Sequence, residues 1–79
     1  MAATDAHRNY VRRAIESGFT NPTEADFSAD MAGLKNDILR DLAQYCDLLR
    51  RNFVHVHGPN APGAKLCDRA KAIILRSIR

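Results

Sequence analysis

Four side chains in the second half of the sequence have the types that covalent or metal chemistry needs: Cys46, His55, His57 and Cys67. A cysteine nucleophile needs a base within hydrogen-bond reach and a third group to orient that base. On one straight helix Cys46 and His55 stand about 13 Å apart along the axis, so they do not meet. Cys67 reaches a histidine only across a loop. As a ligand set, His55-x-His57 with Cys67 and either Cys46 or Asp68 has the types zinc takes. The spacing fits neither the C-x₂-C nor the H-x₃-H frame. On a continuing helix the two histidines point about 200° apart. The simpler expectation is that both thiols are small buried apolar groups and both histidines are solvated at a helix end. There is no Gly-rich phosphate loop, nucleophile elbow or framed carboxylate pair. A chain of 79 residues also leaves little room for a lined pocket. The expectation is a protein that is not an enzyme and takes no cofactor or metal.

Charge is the next candidate. Net charge is +3, and its distribution is uneven. Between residues 21 and 49, Glu24, Asp26, Asp30, Asp37, Asp41 and Asp47 outnumber Lys35 and Arg40. From residue 50 onward, Arg50, Arg51, Lys65, Arg69, Lys71, Arg76 and Arg79 face one carboxylate, Asp68. A basic C-terminal helix can sit on phosphates, with Arg50, Arg51, Lys65, Arg69, Arg76 and Arg79 as the nucleic-acid contacts. Against that, an antiparallel return lays this helix along Asp37, Asp41 and Asp47, which neutralises much of its charge within the fold. No tight helix-turn-helix spacing is present. The same helix is amphipathic but has no Trp or Phe, so it does not read as a membrane anchor. No apolar run has the length of a signal peptide or a membrane span. With two cysteines and no leader, a cytoplasmic chain with reduced thiols is expected.

The elements that must carry these groups are all helical. Thr4 to Ser17 reads as a short first helix, with Thr4 or Asp5 as its cap and His7, Tyr10, Val11, Ala14 and Ile15 as its apolar stripe. Gly18 suits the left-handed position that closes a helix, with Phe19 folding back on it. Asn21-Pro22-Thr23-Glu24 is a second start signal, Asn21 being the cap and Pro22 the first helical residue. From there Phe27, Met31, Leu34, Ile38, Leu42, Tyr45, Leu49, Phe53 and Val56 recur in steps of four and three. That rhythm predicts one long central helix over residues 21–56, with Ser28–Gly33 as the place it breaks if it breaks. Gly58-Pro59-Asn60-Ala61-Pro62-Gly63 is a loop. A third, antiparallel helix follows from about Ala64.

Thirty-five helical residues span about 52 Å, whereas a compact chain of this length is about 30 Å across. Either the helix breaks or a second copy shields its overhang. The apolar seam does not pause, which favours the second copy. The fold expected is therefore a single all-α domain over residues 1–79, a short, a long and an antiparallel third helix paired into a homodimeric bundle. Phe27, Met31, Leu34, Ile38 and Tyr45 form the partner interface. The function expected is a small interaction or regulatory protein working through protein–protein contacts, with itself and another protein as partners. A dimeric nucleic-acid-binding regulator is the alternative.

Overall fold

Threonine hydroxyls start the first two helices. The computed structural model describes residues 3–79. In α1 (Asp5–Glu16), Thr4 Oγ1 accepts from the His7 N–H, and His7 Nδ1 accepts in return from the Thr4 N–H. This is a capping box with histidine at the position more often held by Glu or Gln. At the other end the Gly18 N–H donates to Ile15 and the Phe19 N–H to Ala14, the paired bonds of a Schellman motif. Gly18 and Phe19 both have positive φ, 66° and 61°. Phe19 adopts that conformation at a steric cost, which burial of its ring edge-on against Phe27 at 5.4 Å offsets.

α2 (Glu24–Ala32) starts later than Asn21. Its cap is Thr23, whose side chain accepts from the Asp26 N–H. The Asn21–Pro22 peptide is cis and lies in the turn before it, which a Thr20–Thr23 bridge closes. α2 then stops at Ala32. Gly33 caps it, Lys35 is extended, and α3 (Asn36–His57) begins. The single rod expected over residues 21–56 is thus two helices, and the chain has four helices rather than three. After a Gly58–Ala61 loop comes α4 (Pro62–Ser77), which begins two residues before Ala64 because Pro62 suits the first helical position.

The reason for the break is the length mismatch itself. The radius of gyration is 11.6 Å and the longest axis 33 Å, close to the about 12 Å expected of a compact chain of this length. Gly33 costs a continuous helix about 1 kcal/mol relative to alanine, and the bend lets Phe27 and Met31 turn into the molecule's own core. The carbonyls freed at the bend are not left bare. The Arg79 guanidinium donates to Ala32 O at 2.7 Å and to Leu34 O at 3.3 Å. Asn36 and the Arg79 backbone exchange bonds of 2.9 and 3.2 Å. Accessible surface is 4921 Å², against about 4,800 Å² for a compact chain of this mass. The overhang that argued for a second copy is therefore gone.

The rest of the packing follows the α3–α4 hairpin, the most extensive interhelical contact, with α1 laid across both helices and α2 against α4. α3 buries Leu39, Leu42, Ala43 and Cys46. Ile38 and Tyr45, each one residue earlier, sit about 100° round the helix and are half-buried. Within α3 the four-and-three seam therefore runs partly along the edge of the buried face: its member Leu42 is buried, Ile38, Tyr45, Leu49 and Phe53 are half-buried, and its last member, Val56, is 69% exposed. Gly63 lets α4 approach α3 closely: a Cβ there would lie 2.6 Å from the Phe53 ring. Gly63→Ala should lower stability by about 1–3 kcal/mol through this overpacking. In a Phe53→Ala background the same substitution should cost almost nothing, and urea unfolding of the four proteins of that cycle measures the difference.

Candidate protein-binding groove

The bend between α2 and α3 leaves a groove, and residues from three helices wall it. Tyr10 comes from α1, where its ring stacks on Phe27 with centroids 5.9 Å apart. Its hydroxyl donates to Asp30 on α2. Burial first, then that bond and the charge on Asp30, push the Tyr10 hydroxyl up to about 12. Tyr10 therefore stays a protonated donor at neutral pH. His7 is fixed one turn earlier, where Nδ1 accepts from the Thr4 N–H. Together with Ala6, Met31 and Leu34 these residues enclose a mostly apolar depression of about 200 Å³. A second depression, about 360 Å³, lies over Gly33, Leu34, Lys35, Asp37 and Ile38. Leu34 lines both, so the two depressions adjoin at that residue and together make one candidate groove across the bend.

Of the five residues expected at a partner interface, the structure brings Met31, Leu34 and Ile38 into this groove. Phe27 is fully buried beneath Tyr10. Tyr45 stands further along α3, half-buried and outside the groove. Sequence reasoning placed His7 and Tyr10 on the inner stripe of the first helix and gave Ala6 no role. The signal that points to them is the Tyr10–Asp30 pairing, which exists only once α2 folds back beside α1.

The six expected nucleic-acid contacts divide. Arg50 pairs with Asp68 at 2.9 Å and Arg69 with Glu24 at 3.6 Å, while Arg79 is committed to the bend. Arg51, Lys65 and Arg76 make no ion pair among the described residues. The expected internal neutralisation is partial: Asp47 takes Lys71 at 2.9 Å, but Asp41 takes Arg8 from α1 at 3.2 Å. Arg76 and Arg79 also border a cleft of about 390 Å³ with Ser28 and Ser77. Ala32 and Ser77, the last residues of α2 and α4, also line it, and the C-terminal end of a helix disfavours an anion.

The groups singled out for covalent or metal chemistry do not assemble. Cys46 and Cys67 are buried between α3 and α4, whereas His55 and His57 are exposed at the end of α3, with His57 stacked on Phe53 at 6.3 Å. Among the described residues no three His, Cys, Asp or Glu side chains converge as metal ligands. Burial, then the neighbouring Cys67, pushes the Cys46 thiol up to about 12. Burial, then Asp68, pushes Cys67 up to about 11, with Arg50 opposing. Both thiols are thus protonated at neutral pH, and the thiolate is the reactive form. At pH 8 an aromatic disulfide reagent should label neither cysteine until the protein unfolds, and both in denaturant. Prompt labelling of either one without denaturant would contradict this assignment.

Among the described residues no helix is long and apolar enough to cross a membrane. Compared with protein-family models, with curated proteins and with solved structures, the chain matches none.

Proposed function

We propose that the chain is a helical interaction module that holds a partner protein in the groove over the α2–α3 bend. It acts by packing, without chemistry on a substrate. The observation that supports this most is that two depressions, the first mostly apolar and the second with Ile38 beside Lys35 and Asp37, share Leu34. A segment laid along that line would bury Leu34 and Ile38 and the exposed edge of Tyr10, as a helix or strand does in a partner's groove. Self-association belongs to the same proposal at a different place. Leu48, 56% exposed, and Val56 are apolar side chains that the fold leaves open on α3, and a second copy of the chain pairs with the first there.

The test uses Ala6, which is exposed and lines the groove. Ala6→Gln should fill the first depression without disturbing the core. Tagged wild-type protein should recover a partner from its source cells, and Ala6→Gln should recover several-fold less while keeping the wild-type melting temperature. Equal recovery by both proteins would count against the groove.

A second reading has its own support. Lys65, Arg69 and Arg76 share one face of α4 at spacings of four and seven, and Lys65 and Arg76 make no ion pair among the described residues. Such a face suits phosphates. If it binds duplex DNA or RNA, affinity should fall steeply between 50 and 200 mM salt, by about one log unit of slope per phosphate contact. Lys65→Ala with Arg76→Ala should then reduce the slope by about two. Absence of binding at 50 mM salt would remove this reading.

A further inference from the structure

The first depression has walls and a rim of different chemistry. Ala6, Met31 and Leu34 supply apolar walls, and Tyr10, whose ring stacks on Phe27, supplies an aromatic one. On the rim stands the Asp30 carboxylate, with Asp26 one turn earlier on α2. Neither makes an ion pair among the described residues. Asp30 receives a hydrogen bond from Tyr10, but a phenol brings no charge to balance it. The facing groups on α1 do not balance it either. His7 is tied to Thr4 through Nδ1. Arg13 acts on Tyr10 from one turn along the helix, yet pairs with neither carboxylate.

We propose that this depression is the seat of one long cationic side chain, an arginine or lysine carried by the partner segment that occupies the groove. The inference rests on the groove being a docking site and names what its occupant must carry. At about 200 Å³ the space is smaller than the usual cavity for a small molecule or cofactor, about 300 Å³ upward, and suits a single side chain. The aliphatic stem of Lys or Arg packs on Ala6, Met31 and Leu34, while the head reaches the carboxylate. Tyr10 uses one of the about four acceptor directions of Asp30, so others stay open to a guanidinium or ammonium. A purely apolar occupant would strip water from Asp30 and give nothing back. An acidic occupant would be repelled by both carboxylates.

Three capped, otherwise neutral Ala/Gln helical peptides separate these cases, carrying arginine, norleucine or glutamate at one central position. Amide shifts of uniformly labelled protein report binding. The arginine peptide should move His7, Tyr10, Met31 and Leu34 saturably, about tenfold more tightly than the norleucine peptide, and the glutamate peptide should not bind. Asp30→Asn keeps an acceptor for Tyr10 but removes the charge, so it should reduce arginine binding to the norleucine level. Addition of 0.5 M NaCl to the wild type should weaken arginine binding but not norleucine binding. If norleucine binds as tightly as arginine, or Asp30→Asn leaves arginine binding unchanged, the cationic seat is wrong and the groove stands. If no peptide moves these resonances, the seat is wrong, and the Ala6→Gln comparison decides the groove separately. If the same resonances instead follow the protein's own concentration, the occupant is a second copy and the proposal is overturned.

Discussion

Arg79 joins the two sides of the bend on which this architecture depends. Its guanidinium satisfies carbonyls at the end of α2 and just beyond it, and its backbone pairs with the first residue of α3. A helix end leaves carbonyls without a partner in the helix, and at this exposed bend water competes for them. Here a charged donor from the far end of the chain meets them. With the bend held, α2 lies back beside α1, and the aromatic cluster of Tyr10, Phe19 and Phe27 closes. Without it, Phe27 and Met31 would sit on a rod too long for one molecule to cover.

Local chemistry was legible in the sequence and long-range geometry was not. The first helix, its Gly18 terminus and the Phe19 that folds back on it follow from neighbours within six residues. The Gly/Pro loop and the antiparallel return of α4 were equally plain. The bend was not, because its stabilising donor lies 47 residues from the Ala32 carbonyl it satisfies. The face of α3 was misread for a different reason. Ile38 and Tyr45 fit a four-and-three rhythm, but so do Leu39 and Cys46 one residue later. Two apolar stripes on one helix leave the rotation to be settled by α4 and α1. The same limit applied to the groove. Met31, Leu34 and Ile38 could be named from spacing, while Ala6, His7 and Tyr10 enter it only through the packing of α1 across the bend.

The distribution of charge gives the surface its character. Cations outnumber anions, yet much of the basic end is spent internally, on Asp47, Asp68, Glu24 and the bend. The carboxylates of Asp26 and Asp30 make no ion pair among the described residues. On one side Asp30, with Asp26 a turn earlier, stands beside an apolar depression, and on another Lys65 and Arg76, which make no ion pair among the described residues, flank the paired Arg69 along α4. Its thiols are enclosed and its terminal histidines are solvated, which places its recognisable chemistry at the surface of α1, α2 and α4 rather than in the interior.

Small-angle X-ray scattering over a concentration series tests the bend most directly. The structure predicts, at the lowest concentration, a particle with a Cα radius of gyration near 11.6 Å and a longest axis near 33 Å, each enlarged only by side chains and hydration. A longest dimension at or beyond the about 52 Å of an unbroken helix over residues 21–56, persisting at every concentration, would contradict the account.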